Sequence, residues 1–432
     1  MTRILNATVL AEPGTVLHGA EIEFSPSGVS YLGPQRGDAG PGDIDAAGRV
    51  VIPGLTNGHT HSAMTLLRGY SDDVPLHSWL AHMREFEVRM TADDIRAGLR
   101  LAMVEMLRSG TVGFVDMFAW DEALIAEVAA AGMRVHACFA VFGYDSIAFP
   151  AADSRRGSVV LDETPRLAGT FASEQLVTIS YGIHAPYTCP PDLIADVAVR
   201  SRDSGIGVQI HLSETRREVD NSLAQFGVSP IRHVADLGLM ETQLHIAHAV
   251  HPVDGDIELI ARSNVTVSHN PVSNLKLGAG IAPVVRYRDA GVRLALGTDS
   301  VASNNTLDLF EELKTGAILQ RGIAEDPGVL AGAEVFGWAT RGGALAARAG
   351  GTGRIRVGEP ADLVLLDDRT DAGTPLNDIE SFVYYAARGS EVTDVFIAGR
   401  HVVADRRVRT LDEDAIRADV RDRVARIKSE LS

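Results

Sequence analysis

The sequence predicts a (β/α)8 TIM barrel that carries a small β-sandwich domain. Between residues 56 and 355, short apolar segments of strand character alternate with amphipathic helical segments, and eight such strands can be counted. Towards both ends of the chain, shorter strand-like runs are separated by glycine- and proline-rich turns. We therefore expect residues 1–55 and 356–432 to build one β-sandwich with a C-terminal helix, and residues 56–355 to form an inserted barrel.

The barrel strands are predicted from apolar runs that end at turn residues. We count the opening strand at Val51 and place the other seven at 111–117, 134–141, 176–183, 207–212, 243–247, 265–268 and 292–296. Helices are expected in the intervals, for example at 91–108, 121–131, 191–202, 257–262 and 307–320. Asp121 is a suitable N-cap for the second of these helices.

The β domain is predicted from short runs at both ends of the chain. Residues 4–10, 20–24 and 29–32 have strand composition near the N-terminus, and residues 361–367, 381–385 and 392–399 have it near the C-terminus. Turn residues bound each run, which indicates short strands paired in one sheet.

The bulk composition excludes several classes of protein. The chain has 432 residues, of which 45% are hydrophobic, and its formal net charge of −17 argues against a nucleic-acid partner. No apolar run approaches the ~20 residues of a membrane span, and the first residues lack a signal-peptide pattern. Two cysteines, Cys138 and Cys189, cannot make a disulfide framework. We expect a cytoplasmic protein without a membrane partner; a homo-oligomer is compatible with the sequence but not specified by it.

A pair of histidines follows the first apolar strand. His59 and His61 are two residues apart, and residues with this spacing on a strand point to the same face. Both imidazoles can therefore reach one point at the strand end, where barrel enzymes keep their chemistry. Two surface histidines in a loop are the alternative interpretation of this pair alone.

Further metal-compatible residues stand at later strand ends. His211 closes one strand, His245 and His248 flank the end of the next, and Asp299 follows the last. Histidines together with a carboxylate make an open catalytic site for zinc or iron. Each residue alone is more often structural, but their shared position at one rim favours a metal centre.

Several motifs resemble those of the amidohydrolase superfamily. Within it, the chain is similar to the nucleoside and heterocycle deaminases that include the 5-methylthioadenosine/S-adenosylhomocysteine deaminases. The resemblance covers nearly the whole chain. It is carried by Pro-Gly-Leu at 53–55 before Gly-His-Thr-His at 58–61, His-Leu-Ser-Glu-Thr at 211–215, Ala-His at 247–248, Ser-His-Asn-Pro at 268–271, Ser-Asn-Leu-Lys-Leu-Gly at 273–278 and Leu-Gly-Thr-Asp at 296–299.

The resemblance implies a set of metal ligands. They would be His59, His61, His211 and Asp299, while His248 would contact the nucleophilic water. Relatives with two metals bridge them through a carbamylated lysine at the fourth strand, but no lysine precedes Lys276 here. One divalent metal is therefore expected, with Zn2+ favoured over Fe2+ or Mn2+.

The resemblance also implies the catalytic roles. Glu214 lies three residues after His211, and relatives with this spacing deaminate six-membered rings; a solvated loop carboxylate is the alternative. Glu214 would protonate a ring nitrogen while hydroxide adds to the amino-bearing carbon. Asp299 would accept the proton of the water and pass it to the departing amine.

Substrate contacts are implied at three further positions. Glu87 matches the glutamate that binds both ribose hydroxyls, and His184 matches a histidine that contacts the base. Trp79 can supply a stacking or packing wall, although a core tryptophan is an equal alternative. Glu87 also has an alternative, that of an exposed glutamate at a helix end.

One departure bears on the substrate. The position of an arginine that grips the amino-acid carboxylate in the relatives falls at about Phe139, and Arg155 and Arg156 follow in the next loop. We therefore expect adenosine, 5'-methylthioadenosine or 5'-deoxyadenosine rather than S-adenosylhomocysteine. A pterin or modified-purine deaminase and a triazine hydrolase are the nearest alternatives, and a catalytically silent structural relative is a more distant one.

Overall fold

The structure is a computed structural model that describes residues 1–431, without the side chain of His77. Strands occupy the following ranges within those residues: β1 Thr2–Glu12, β2 Thr15–Ser25, β3 Gly28–Pro34, β4 Ile44–Asp45, β5 Arg49–Pro53, β6 Leu55–Thr60, β7 Thr111–Phe118, β8 Arg134–Val141, β9 Val177–Ile183, β10 Val208–Leu212, β11 Leu244–His248, β12 Val265–His269, β13 Arg293–Leu296, β14 Leu363–Asp367, β15 Val392–Ile397, β16 Arg400–Ala404 and β17 Arg407–Val408.

Helices lie mostly between the barrel strands. The α-helices of the same residues are α1 Leu76–Glu87, α2 Ala92–Arg108, α3 Glu122–Ala131, α4 Gly157–Thr170, α5 Pro191–Ser204, α6 Arg216–Phe226, α7 Pro230–Asp236, α8 Asp256–Ala261, α9 Pro271–Lys276, α10 Val284–Asp289, α11 Val301–Asn304, α12 Leu309–Ala324, α13 Gly332–Gly337, α14 Gly343–Ala347, α15 Ile379–Ser381 and α16 Glu413–Leu431. None of them is long and apolar enough to cross a membrane.

Strands β6 to β13 form the barrel. They are parallel and lie in chain order, each paired with its sequence neighbour. The first and last strands meet through the backbone, because the amide of Asp299 donates to the carbonyl of His59 at 2.9 Å. The side chain of Asn57 adds two bonds to Thr298, at 2.8 and 3.0 Å. The predicted (β/α)8 barrel is confirmed. Its closure places the ends of the first and last strands side by side at one rim.

The remaining nine strands form one mixed sheet from both chain ends. Its order is β17-β16-β15-β14-β5-β1-β2-β3, with β4 on β1, so the antiparallel pair β5–β14 joins the two ends. Phe24 on β2 and Phe396 on β15 lie four strands apart in this order, yet their ring centroids are 5.1 Å apart. Neighbouring strands are about 4.8 Å apart, so a flat sheet would separate these rings by roughly 19 Å. The sheet therefore folds over itself around a small core, as a sandwich does.

The opening strand of the barrel differs from the one counted in the sequence. The run Arg49–Pro53 pairs with β14 in the sandwich, and the first barrel strand is Leu55–Thr60. The chain passes from one sheet to the other at Gly54, where a Cβ would lie 2.4 Å from Cγ1 of Val112. Our counting was wrong here because one apolar run continues across this junction.

The strand expected at 381–385 is also wrong. These residues begin in α15 and continue as a π-helical turn, Phe382–Ala386. Asp378 caps α15 by accepting from the amide of Ser381 at 2.6 Å, and the Tyr384 ring packs on Phe336 with centroids 5.2 Å apart. Aromatic and β-branched composition suggested a strand, but capping and packing against α13 select a helix.

A buried ion pair joins the barrel to the sandwich. Arg134 on β8 donates to both carboxylate oxygens of Asp362 at 2.8 and 3.0 Å, and both side chains are more than nine-tenths buried. Asp362 also accepts from the amide of Ala398 at 2.8 Å. The carboxylate therefore has a partner in each domain.

We expect Arg134→Met to destabilise the protein by about 3–5 kcal/mol, because it leaves the Asp362 carboxylate buried without its cation. Equilibrium urea unfolding measures this change. Arg166→Met is the matched control, since Arg166 and Glu122 form a pair in which both side chains are more than half exposed. That control is expected to change the free energy of unfolding by less than about 1 kcal/mol. Equal effects of the two substitutions would contradict the proposed importance of the buried pair.

Candidate active site

A cavity of about 590 Å3 opens at the rim formed by the carboxyl ends of the barrel strands. This is the end at which barrel enzymes place their chemistry. Of the residues singled out in the sequence, the cavity is lined by His61, Trp79, Glu87, His184, His211, Glu214, His248 and Asp299. His59 is fully buried and in ring contact with three of these histidines.

Three imidazoles and one carboxylate converge beside the cavity. Oδ1 of Asp299 lies 3.4 Å from Nε2 of His59 and 3.4 Å from Nε2 of His61. Nε2 of His61 is in turn 3.2 Å from Nε2 of His211. Nε2 of His59 is buried and has no hydrogen-bond partner among the described residues. An orphaned nitrogen in a ring of donors fits a cation that all four side chains can share.

The other ring nitrogens of these histidines hold the rings in place. Nδ1 of His61 donates to the carbonyl of Met117 at 2.7 Å, and Nδ1 of His211 donates to the carbonyl of His184 at 2.7 Å. The amide of Gln209 lies 3.1 Å from Nδ1 of His59. On His61 and His211, the Nδ1–H group that makes this bond leaves the lone pair of Nε2 free for another partner. Burial lowers the pKa of His59 to about 4, so this ring stays neutral.

Asp299 is fixed by two hydroxyl groups. Ser273 and Ser303 donate to its Oδ2 at 2.6 and 3.0 Å, which leaves Oδ1 facing the histidines. Asp299 also adopts a left-handed backbone, with φ of 61°. Burial raises the pKa of Asp299, but the close contact with Nε2 of His59 and the neighbouring imidazoles of His248 and His61 outweigh burial and hold the pKa well below its usual range. The carboxylate is therefore charged and directed at the ring of donors.

His248 and Glu214 border the converging donors. Nδ1 of His248 donates to Oδ1 of Asn274 at 2.9 Å and lies 3.9 Å from Oε1 of Glu214. Burial lowers the pKa of His248, but the carboxylates of Glu214 and Asp299 outweigh it, so the pKa is raised. The pKa of Glu214 is also raised, chiefly by burial. The pair can exchange and hold protons next to any group bound in the cavity.

The sequence matches one known protein family. A model of the amidohydrolase family matches residues 50–402. The chain belongs to the amidohydrolase family. The resemblance drawn from the strand-end motifs is thereby confirmed.

Named relatives of this amidohydrolase are deaminases. It is 39% identical over 430 residues to a 5-methylthioadenosine/S-adenosylhomocysteine deaminase of Moorella thermoacetica, with 98% of both chains covered. It is 36% identical over 417 residues to a 5'-deoxyadenosine deaminase of Methanosarcina barkeri, covering 96% of this chain and 92% of that one. Among solved structures, an adenosine deaminase from Xanthomonas campestris with bound zinc matches with a TM-score of 0.92 at 32% identity, covering 99% and 98% of the two chains.

Helix α1 forms one wall of the amidohydrolase cavity. Glu87, at its last turn, lines the cavity, and burial raises the pKa of its carboxyl group. Trp79 lines the same wall, and its indole Nε1 donates to the carbonyl of Ala302 at 3.2 Å. Glu87 is therefore not the exposed glutamate at a helix end that was the alternative interpretation. Trp79 is more than nine-tenths buried and also borders the cavity, so it is both a core tryptophan and part of the cavity wall.

A second part of the cavity wall is mostly apolar. His184 stacks on Phe142 with ring centroids 4.4 Å apart, and its Nδ1 shares a hydrogen bond of 2.8 Å with Thr188. Burial lowers the pKa of His184 to about 3, so the ring is neutral. Beyond it, the wall is completed by Met117, Phe118, Ala140, Ile147, Ala148 and Phe149.

The expectation that Phe139 occupies the substrate-binding position needs correction. Phe139 is buried and does not line this cavity. The nearby side chains that line the cavity are those of Ala140 and Phe142. Alternation along the strand turns residue 139 to the other side. Arg155 binds Asp153, Glu163 and the carbonyl of Trp120, so it is not available to a substrate.

Some residues of the site were not found from the sequence. Ser273 and Asn274 stand in a motif that we quoted without assigning them a role, and Ser303 and Gln209 gave no signal. Their contacts join residues far apart in the chain, such as the 26 residues between Ser273 and Asp299. Sequence spacing cannot reveal a hydroxyl that meets a carboxylate in this way.

We expect His211→Asn to abolish metal binding, because Nε2 of His211 is one of the converging donors. Metal content by plasma mass spectrometry should fall from about one ion per chain to below about 0.1. His269→Asn is the matched control, since His269 is also buried, at the end of β12, but is not one of the four converging donors. Retention of metal by His211→Asn would contradict this assignment.

Proposed function

We propose that this amidohydrolase is a metal-dependent deaminase of adenosine and of 5'-modified adenosines with an uncharged tail. It replaces the 6-amino group by oxygen and releases ammonia and the inosine analogue. The observation that carries the proposal is the shared cavity, which is lined by Glu214 beside the candidate metal ligands and by Glu87 on helix α1. The deaminases among its relatives support the same reaction.

The proposed metal ligands are His59, His61, His211 and Asp299. Their three imidazoles and one carboxylate suit zinc, the metal bound in the adenosine deaminase neighbour. When bound, the metal supplies Lewis acidity, which lets water lose a proton near neutral pH. Strand β9 has the sequence VTISYGI and offers no lysine to bridge a second ion, so one metal is proposed.

The proposed proton transfers use three side chains. Asp299 takes the proton of the attacking water at its carboxylate, and His248 orients that water. Glu214, whose pKa is raised chiefly by burial, gives a proton to N1 of the ring while the oxygen adds to C6. The amino group then takes the proton held by Asp299 and leaves as ammonia, and the proton balance is restored when Glu214 recovers its proton from the product hydroxyl.

The proposed nucleoside contacts come from the two walls. The Glu87 carboxylate accepts from the 2'- and 3'-hydroxyls of the ribose, because a carboxylate has two oxygens at the spacing of a vicinal diol. The neutral ring of His184 contacts the base, and Trp79 supports the wall that carries Glu87. The apolar wall beyond Phe142 receives the 5' substituent.

Charge on the walls favours an uncharged 5' tail. Arg84 is the single arginine or lysine among the described residues that line the cavity, and its guanidinium already donates to the carbonyl of Ala148. A carboxylate on the substrate would face aromatic and aliphatic side chains there. We therefore rank adenosine, 5'-methylthioadenosine and 5'-deoxyadenosine above S-adenosylhomocysteine.

Two other reactions fit the same catalytic groups. Deamination of a pterin or modified purine, or hydrolysis of a triazine, would use the same metal ligands and Glu214. Such free heterocycles have no diol and would leave the partly buried Glu87 carboxyl without a partner. A catalytically silent structural protein would not need the converging donors at all.

The direct test is a deamination assay of the zinc-loaded protein. Adenosine, 5'-methylthioadenosine, 5'-deoxyadenosine, S-adenosylhomocysteine and free adenine are compared by loss of the adenine absorbance. We expect turnover of the first three, slower turnover of the fourth and none of adenine. No turnover of any nucleoside by metal-loaded protein would overturn the proposed function.

Glu87→Gln should weaken nucleoside use, because the diol loses its charged acceptor. We expect kcat/KM for adenosine to fall about 10- to 100-fold, mostly through KM. Glu85→Gln, two residues away on the exposed face of α1, is the control and should match the wild type. Identical kinetics for the two variants would refute the proposed ribose contact.

Glu214→Gln should block the proton transfer without removing the metal. An amide cannot donate an acidic proton to N1, so we expect kcat to fall about 10²- to 10⁴-fold at unchanged metal content. Steady-state kinetics and metal analysis of the same preparation measure both quantities. A variant with wild-type kcat would remove Glu214 from the mechanism.

A further inference from the structure

We infer that Glu218 is a positioning residue for the reaction, because its carboxylate holds the turn that carries Glu214. This inference rests on the proposed function, in which Glu214 moves a proton to the ring. Nothing in the sequence motifs singled out Glu218, which lies in the first turn of helix α6 and does not line the cavity.

The carboxylate of Glu218 binds two consecutive backbone amides. Its Oε1 accepts from the amide of Ser213 at 2.8 Å, and its Oε2 accepts from the amide of Glu214 at 2.8 Å. The side chain of Glu218 is more than nine-tenths buried, so water does not compete freely for these bonds. Both carboxylate oxygens are thus committed to the backbone from which the Glu214 side chain starts.

The arrangement departs from an ordinary helix cap. Thr215 is the N-cap of α6, and its hydroxyl accepts from the amide of Glu218 at 3.2 Å. In a capping box, the carboxylate at this position returns to the amide of the N-cap residue itself. Here it reaches one and two residues further back, to Glu214 and Ser213. The carboxylate therefore fixes the turn before the helix and not the first turn of the helix.

The turn needs such a constraint. Ser213 has a left-handed backbone, with φ of 50°, which a residue with a side chain adopts only when its surroundings enforce it. From the other side, the carbonyl of Ser213 accepts from the amides of Val250 and His251, both at 2.9 Å. Glu218 on one side and the loop after His248 on the other hold this turn. This fixes the relative position of Glu214 and His248.

The test begins with Glu218→Gln. An amide has one acceptor oxygen, and its NH2 group would meet the second backbone N–H, so one of the two bonds is lost. We expect kcat for adenosine to fall up to about 100-fold, with KM and metal content unchanged. Amide hydrogen exchange at residues 213 and 214 should become faster, and this readout does not depend on any activity.

The control is Glu334→Gln. Glu334 occupies the same position in helix α13, where it accepts from the amide of Ala331 at 2.9 Å, and it does not line the cavity. We expect its kcat to match the wild type. A loss of kcat in this variant as large as in Glu218→Gln would assign both effects to helix capping and overturn the inference.

A double substitution separates positioning from structure. If Glu218 acts through Glu214, then adding Glu218→Gln to a Glu214→Gln background should change kcat by less than about twofold. An equal loss in both backgrounds, or a wild-type kcat for Glu218→Gln, would overturn the inference. If Glu218→Gln does not fold, Glu218→Asp replaces it, because the shorter aspartate side chain can reach only one of the two amides. A wild-type kcat together with wild-type exchange rates in Glu218→Asp would then overturn the inference.

Failure of the proposed function gives a different result. In that case the wild-type protein turns over no nucleoside, while the exchange rates at residues 213 and 214 still report whether Glu218 holds the turn. Wild-type turnover combined with unchanged exchange in Glu218→Gln would sink the positioning role alone.

Discussion

The site depends on one constraint, which is that buried imidazoles must have their Nδ1–H groups bound before their Nε2 atoms can serve a common ligand. Carbonyl groups of the rim satisfy two of them, since Met117 accepts from His61 and His184 accepts from His211. Barrel closure places Asp299 against His59 through a backbone bond of 2.9 Å. The donors therefore converge because of hydrogen bonds that belong to the fold itself.

The same rim divides the cavity into a polar and an apolar part. Glu214 and His248 stand next to the converging donors, and Glu87 of helix α1 lines the same cavity. Phe142 and its neighbours form the apolar part of the wall. A ligand that suits this arrangement is a polar ring with a diol and an uncharged end, which is the shape of a nucleoside with a short 5' substituent.

Much of this arrangement could be predicted from the sequence, because parallel strands bring their carboxyl ends to one rim. The strand ends therefore placed His59, His61, His211, His245, His248 and Asp299 at one rim although up to 240 residues separate them, and the family resemblance selected His59, His61, His211 and Asp299 as the ligands. Which side chains of β8 point to the cavity was not assigned correctly, so Phe139 was chosen although Ala140 and Phe142 line the cavity. The strand predicted at 381–385 was wrong for another reason, because tertiary packing outweighed the β composition of these residues. Glu218 could not be found because its partners are backbone amides, which have no sequence signature.

Anomalous X-ray diffraction at the zinc edge, from crystals of the zinc-loaded protein, tests the central claim most directly. We expect one peak per chain, about 2.0–2.2 Å from Nε2 of His59, His61 and His211 and from an oxygen of Asp299. A peak coordinated by His248 in place of Asp299, or two peaks of equal height, would contradict the single-metal site on which the proposed chemistry is built.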